Sequence, residues 1–144
     1  MSNQDVTTHK FVAILNKKIT VGKVMNVLAH ITVSLVAQIP LGQVETVGIV
    51  DYRDRDNNSH KASKNSFVIL AADNSNQIRN IKRAAQEKGI MFVDFTDTMQ
   101  EGTYLDQLAR TKETHELLLE YYGIVLFGTI EQVSELTRKF SLWH

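Results

Sequence analysis

The chain of 144 residues contains no cysteine and a single proline. Without cysteine there is no thiol nucleophile, no thiolate metal site and no disulfide framework, which fits a reducing compartment. Lys plus Arg number 16, as do Asp plus Glu, so the basic excess typical of dedicated nucleic-acid binders is missing. The first ten residues, MSNQDVTTHK, lack the apolar segment of a signal peptide, and no stretch reaches the length of a membrane span. These absences predict a cytoplasmic protein that does not associate with a membrane.

The apolar residues are numerous enough for one core. They make up 43% of the chain, so we expect a single domain over residues 1–144. Short apolar runs predict four buried strands, at 10–16, 66–72, 90–95 and 121–128.

Helical spacing follows three of these runs. It extends from Thr20 to Pro40, over 73–89 and from 130 onward. The polar segment 41–65 predicts a hairpin or an excursion, and 101–120 predicts one or two helical turns. Strands that alternate with helices predict an α/β fold. We expect a three-layer α/β/α sandwich around a mixed, largely parallel sheet of four core strands.

Two motifs that suggest ion or phosphate binding do not fit their patterns. Gly22 and Lys23 resemble the end of a phosphate loop, but Lys17 and Val24 stand where that loop needs Gly and Ser or Thr. The segment DRDNNS has the alternating oxygen ligands of a calcium loop, yet Ser59 replaces its turn glycine, so a solvated hairpin loop is the better interpretation. The five histidines are widely scattered, and we expect neither a metal nor a cofactor.

A polar stripe runs along the first predicted helix. Its members are spaced by three, four and four residues, which places them on one face: Lys23, Asn26, His30 and Ser34. An amphipathic helix must show a polar face to water, so a merely solvated stripe is one interpretation. However, Lys23 falls in the first turn, where the helix dipole disfavours a cation and the free backbone N–H groups attract anions. The alternative interpretation is therefore a site for a small anion.

A second candidate lies at the end of the third predicted strand, in the segment DFTDTM. Asp94 ends the strand and Thr98 follows four residues later. Ligands of parallel α/β sheets bind at the carboxyl ends of the strands, although Asp and Thr are also common helix N-caps. If the first and third strands are parallel, this segment and the Lys23 helix share one edge of the sheet.

These segments together resemble a known family. GKVMNVLAH matches a Gly-Lys…His helix at Gly22, Lys23 and His30, DFTDT matches an Asp-Ala-Gly-x-Thr motif at Asp94 and Thr98, and YGIVLFGTIEQVSELTRKFSLW is similar to the family's ending. The chain thus resembles the type II peptidyl-tRNA hydrolases and the uncharacterised proteins that share their fold. The resemblance covers most of the chain and implies that fold.

The resemblance also implies roles for particular residues. Lys23 would bind a phosphate or the developing oxyanion, Asp94 would position or deprotonate a water, and Thr98 would hydrogen-bond the intermediate. His30 would orient Lys23 or contact nucleic acid. An ester hydrolase acting on a substrate such as peptidyl-tRNA is therefore one hypothesis, although the neutral net charge disfavours tRNA.

The chain departs from the hydrolase pattern in ways that favour a second hypothesis. Val27 stands where the hydrolases have Gln, and Phe95 and Thr96 stand where they have Ala and Gly. These departures are typical of the uncharacterised branch. They favour a non-catalytic domain that binds a small anionic ligand through Gly22, Asn26 and His30. The apolar tail, with Phe140, Leu142 and Trp143, would pack against a partner chain or cover the sheet edge, and we expect a homodimer.

Overall fold

The computed structural model describes residues 7–144, so most of the polar N-terminal segment assessed above for a signal peptide lies outside the described residues. The elements follow in the order β1 (His9–Asn16), α1 (Val21–Gln38), β2 (Ile49–Arg53), β3 (Ser59–Ser63), β4 (Phe67–Ala72), α2 (Ser75–Lys88), β5 (Met91–Thr96), α3 (Tyr104–Glu113), β6 (Tyr121–Thr129), α4 (Ile130–Thr137) and β7 (Ser141–Leu142). Short 3-10 helices lie at Leu41–Val47, Asp97–Met99 and Glu116–Leu118. The four predicted strands and three predicted helices are confirmed.

The central sheet has five strands in the order β5-β6-β1-β4-β7. Only β1 and β4 pair in parallel, whereas β6 is antiparallel to both β1 and β5, and β7 is antiparallel to β4. The sheet is mixed, as predicted, and contains the four predicted strands with β7 added, but the prediction that it is largely parallel is wrong. The cause is that a strand buried on both faces has the same apolar sequence in either direction.

Strands β1 and β5 nevertheless run in the same direction, since both are antiparallel to β6. Their carboxyl ends lie at one edge of the sheet, as expected. The beginning of α1 and the end of β5 are thereby brought to the same end of the molecule.

Helices cover both faces of the sheet. On one face, the buried residues Val27, Ile31 and Leu35 of α1 pack against Phe11 and other strand residues. On the opposite face, Ile78, Ile81 and Ala85 of α2 and Val133 of α4 pack with Val12 and its neighbours. The two apolar clusters define three layers, with α1 on one side of the sheet and α2 and α4 on the other.

Helix α1 is long and apolar enough, by length and composition alone, to cross a membrane. This corrects the expectation that no stretch reaches that length; the 18-residue helix contains a single lysine. Its residues Val24, Val27, Ile31 and Leu35 are buried in the protein. Buried core helices of soluble proteins can have the same length and apolar composition, so α1 is only weak evidence for a membrane span.

The segment after α1 forms a hairpin that stands apart from the central sheet. Strands β2 and β3 pair antiparallel in a separate two-stranded sheet, which confirms the predicted hairpin. In its loop the Asp54 carboxylate accepts the backbone N–H groups of Asp56 and Asn58 at 3.0 and 2.9 Å. His60 binds the same carboxylate at 2.8 Å and holds the pKa of Asp54 below its usual range. Asp54 therefore organises a turn, and residues 7–144 contain no group of three metal-ligating side chains.

Candidate functional site

The polar stripe of α1 borders an open cleft of about 550 Å³ between α1 and α3. Asn26, His30 and Ser34 line it from α1, and α3 supplies Tyr104, Gln107, Leu108 and Thr111. The floor is apolar and consists of Val27, Ile31, Val93 and Phe95. The cleft therefore combines an apolar base with polar walls, which is the usual composition of a small-molecule site.

The opposite wall of the cleft is fixed by the residues that hold α3. Thr103 begins α3 with a capping box, in which its hydroxyl accepts the N–H of Asp106 and the Asp106 carboxylate accepts the N–H of Thr103. Thr98 is 3% exposed, and its hydroxyl accepts a hydrogen bond from Thr111 at 2.7 Å and lies 2.8 Å from the Thr96 hydroxyl. The structure thus places Thr98 beneath α3, where it joins that helix to the end of β5.

Two polar side chains on the α1 wall are available to a ligand. Within residues 7–144, Asn26 and the ring of His30 make no side-chain hydrogen bond, and both are exposed. Ser34 instead donates to the His30 carbonyl at 2.8 Å, and Gln107 donates to the Gly102 carbonyl at 3.2 Å. The His30 and Phe95 ring centroids lie 6.1 Å apart. The His30 imidazole therefore lies beside the Phe95 ring, and the Asn26 amide lines the same cleft.

Lys23 lies on the same stripe but is not among the residues that line the cleft. It is exposed in the first turn of α1, which contains no acidic residue. Gly22, next to it, is exposed, and a Cβ there would meet no atom within 4 Å. The packing therefore does not require glycine at position 22, and Lys23 is exposed to solvent outside the lining of the cleft.

Asp94 directs its side chain to the other face of the sheet. Its carboxylate lies 3.7 Å from Nζ of Lys82 on α2. Val93 and Phe95 pack in the α1 cluster, whereas Phe92 packs in the α2 cluster, as alternation along a strand requires. Because β5 continues to Thr96, Asp94 lies inside the strand rather than at its end. The strand therefore does not end at Asp94 as predicted, and although this residue borders the α1–α3 cleft, its carboxylate pairs with Lys82.

The Asp94–Lys82 pair is partly buried, with side chains 15% and 20% exposed. Burial raises the pKa of Asp94, and the nearby Lys82 offsets only part of this effect. For Lys82, burial acts to lower the pKa, but a 3.1 Å hydrogen bond to the Tyr121 hydroxyl and the charge of Asp94 outweigh it and raise the pKa. Lys82 therefore stays charged at neutral pH, and its partners are the Asp94 carboxylate and the Tyr121 hydroxyl.

Comparison with known proteins adds a family and a fold. A family described as proteins of unknown function, DUF2000, matches residues 9–144. The chain belongs to the DUF2000 family. A solved structure of a protein of unknown function from Agrobacterium tumefaciens strain C58 is similar in fold, with a TM-score of 0.77 and 22% identity, and the match covers 96% of this chain and 100% of that one. No curated protein matches the chain significantly. The resemblance to type II peptidyl-tRNA hydrolases is not confirmed by these comparisons.

Sequence reasoning missed a buried arginine in this DUF2000 chain. Arg79 on α2 is 5% exposed. Its guanidinium donates to the Leu119 carbonyl at 2.6 Å and to the Glu116 carboxylate at 2.8 Å. The available signal was its place between Ile78 and Ile81 on the apolar side of α2. Arg79 attaches the segment before β6 to α2, which is a structural role.

The wall formed by α3 was also missed, although its N-terminus has a recognisable sequence signal. Thr103 followed three residues later by Asp106 is a form of capping box, and it marks the start of a helix that is ten residues long. The spacing of apolar residues predicted only one or two turns there. Identifying the whole helix would have placed Gln107 and Thr111 on one side of it, where they face the α1 stripe.

Proposed function

We propose that the α1–α3 cleft binds a small ligand that has a planar apolar part and an anionic or carbonyl end, and that the protein is a binding domain. The observation that carries this proposal is the pair Asn26 and His30, which border an open apolar floor without hydrogen-bond partners among residues 7–144. Polar groups so placed fix the orientation of a ligand whose apolar part is held by the floor.

The size and chemistry of the cleft support a small molecule. Its volume of about 550 Å³ falls within the range usual for ligand sites. Phe95 provides a flat apolar surface on the floor, and its ring is stacked at 6.3 Å from the ring of Tyr122. A planar group in contact with Phe95 would extend this stack.

Lys23 supports the anionic end of the ligand. It precedes Asn26 by one helical turn on the same stripe, near the free backbone N–H groups of α1. The Asp94 carboxylate is engaged by Lys82 on the opposite face, and the rest of the lining contains no Asp or Glu. A ligand carboxylate would therefore meet neutral polar groups in this cleft, with Lys23 one helical turn away on α1.

The proposal is tested by NMR titration of the ¹⁵N-labelled protein with benzoate, benzamide and inorganic phosphate. We expect saturable shifts at Asn26, His30 and Phe95, stronger for benzoate than for phosphate. Lys23→Ala should weaken benzoate binding about threefold, by the loss of one exposed charge contact. Lys112→Ala on α3 is the matched control and should have no effect. Equal benzoate affinity in Lys23→Ala and the parent would remove the anionic part of the proposal, and no shifts in the cleft would remove the whole of it.

Ester hydrolysis is the alternative, and the geometry supports it less. A mechanism that uses Lys23, Asp94 and Thr98 together needs them around one substrate, whereas Asp94 contacts Lys82 and Thr98 is buried beneath α3. Its support remains the order of motifs that resembles the type II peptidyl-tRNA hydrolases. Incubation with peptidyl-tRNA at high protein concentration tests it, and release of peptide would establish it in place of a pure binding role.

A homodimer remains part of the proposed function. Its support is the outer side of α1, where Val21, Met25 and Val33 are 58%, 64% and 70% exposed. The tail is less available for this purpose, because Phe140 packs against the α2 cluster and β7 pairs with β4 as the last strand of the sheet. Sedimentation velocity tests this proposal: we expect a dimer that Val33→Glu converts to a monomer, whereas a monomeric parent would exclude it.

A further inference from the structure

A second and larger groove, of about 780 Å³, lies away from the α1–α3 cleft. It is enclosed by α2, by the turn that follows β1 and by the C-terminal segment 135–144. None of the residues predicted from the sequence as site residues lines it. Any binding there is therefore independent of the function proposed for the cleft.

Part of the groove wall is apolar and aromatic. Ile81 and Ala84 of α2 line it together with Leu136, Phe140 and Trp143 of the C-terminal segment. The Trp143 backbone N–H donates to the Ile69 carbonyl at 3.0 Å, which fixes the chain next to the sheet edge. An aromatic ring could therefore lie against a wall whose backbone is already held in place.

The charged residues of the groove are predominantly basic. Lys17, Lys88, Arg138 and Lys139 line it together with two acidic side chains, Asp73 and Glu135, and with the last residue, His144. Both carboxylates are engaged, Asp73 by Lys17 at 2.5 Å and Glu135 by Arg138 at 3.3 Å. Within the described part of the chain, Lys88 and Lys139 have no ion-pair partner. Among the Lys, Arg, Asp and Glu side chains of the groove, the excess positive charge is therefore carried by these two ammonium groups.

We propose that this groove is a second binding site, whose ligand is an aromatic organic anion. The ring lies against Trp143 and Phe140, and the phosphate or carboxylate is held by Lys88 and Lys139. Gln77 and Asn80 also line the groove and can donate to a polar substituent. An inorganic anion alone lacks the ring contact, and a neutral ring lacks the charge contact, so each should bind more weakly than the two combined.

The chain contains a reporter for this proposal, because Trp143 is its only tryptophan. Phenyl phosphate is titrated while Trp143 fluorescence is followed, with phenol and inorganic phosphate as separate probes. We expect a saturable change with phenyl phosphate and a markedly weaker response to each of the other two.

Charge variants separate the two contacts. Lys88→Gln combined with Lys139→Gln should weaken phenyl phosphate about tenfold and leave phenol unchanged, because both lysines are exposed and contribute charge rather than packing. Lys61→Gln combined with Lys112→Gln is the matched control, since neither residue lines the groove. Ala84→Glu keeps a helix-forming residue but adds bulk and negative charge to the wall, so it should abolish the phenyl phosphate response.

Three results would overturn the proposal: no saturable fluorescence change with phenyl phosphate, equal affinities in the parent and the double lysine variant, or unchanged binding in Ala84→Glu. None of these results bears on benzoate binding in the α1–α3 cleft, which is followed by NMR at Asn26 and His30. The two proposals can therefore fail separately.

Discussion

The two concave regions described above, the α1–α3 cleft and the groove beside α2, differ most in charge. The cleft has amide, hydroxyl and imidazole walls above an apolar floor, whereas four basic and two acidic side chains line the groove. Both regions form on the same sheet. The difference in charge arises because different side chains of the strands and helices face each region. One fold can therefore carry two surfaces of different charge.

Strand β5 shows that neighbouring residues of one strand serve different faces of the sheet. Phe95 contributes to the floor of the cleft, and its neighbour Asp94 binds Lys82 on the other face. A shift of one residue in the register of β5 would exchange them and place a carboxylate in the cleft. The pairing of β5 with β6 therefore determines the charge of the cleft.

The largest predicted effect is on the α2 side of the sheet, at the buried Arg79. Arg79→Met removes the hydrogen bonds to Glu116 and to the Leu119 carbonyl, and it leaves a part-buried acceptor unpaired. We expect a loss of about 3 kcal/mol in the free energy of unfolding, measured with urea. Arg83→Met, which removes only an exposed contact to the same Glu116, should change it by less than about 0.5 kcal/mol. Equal losses in the two variants would show that the burial of Arg79 is unimportant.

Two glycines of β6 allow each side of the sheet to be disturbed separately. A Cβ at Gly123 would lie 2.9 Å from Leu15 Cδ2 and 3.1 Å from Val27 Cγ1, on the α1 side, whereas one at Gly128 would lie 3.2 Å from Val133 Cγ2, on the α4 side. We expect Gly123→Ala to cost about 2 kcal/mol and Gly128→Ala about 1 kcal/mol. NMR should show shifts at Asn26 and His30 only for Gly123→Ala. Shifts in the cleft of equal size for both variants would mean that the two faces are not independent.

The smallest predicted effect concerns pH and the Asp94–Lys82 pair. Because burial raises the pKa of Asp94, the folded protein retains this proton above the usual value of 3.8, at which the unfolded chain releases it. Stability contributed by Asp94 therefore falls as pH rises from 3.8 through the folded pKa. Asp94→Asn should remove this decline and slightly raise the free energy of unfolding at pH 7, since it keeps the side chain neutral.

Asp54 provides a control because its pKa shifts in the opposite direction to that of Asp94: the hydrogen bond from His60 lowers it. Its contribution is present above the usual value of 3.8 and is lost as pH falls through the lowered pKa. Urea unfolding of both Asn variants between pH 3 and 7 compares them. A parent protein that gains stability over Asp94→Asn as pH rises would contradict the sign given for Asp94.

The sequence predicted the elements well because their signals are local. The period of α1 correctly grouped Asn26, His30 and Ser34, which line one wall of the cleft. Helix α2 ends at Gly89, as its sequence indicated, and the Gly89 backbone has the left-handed conformation typical of that position. A helical period and a glycine stop depend on neighbouring residues alone.

The position of Asp94 could not be predicted in the same way. Where a strand ends depends on its neighbours in the sheet, and β5 continues two residues beyond Asp94 because it pairs with β6 as far as Tyr121. Both faces of β5 are partly buried, so the sequence has no polar alternation that would show which side chains face α1. The burial of Thr98 could not be predicted for a related reason, since it depends on α3, which contains no buried residue of its own.

The hairpin of β2 and β3 has a practical consequence. Its loop, 54–58, is held together by the Asp54 carboxylate and lines neither the cleft nor the groove. A short tag or a spectroscopic label introduced at exposed Arg55 would therefore be carried on a self-contained attachment point. Immobilised through that point, the protein would present both regions to solution, so that ligands for each could be screened on one surface.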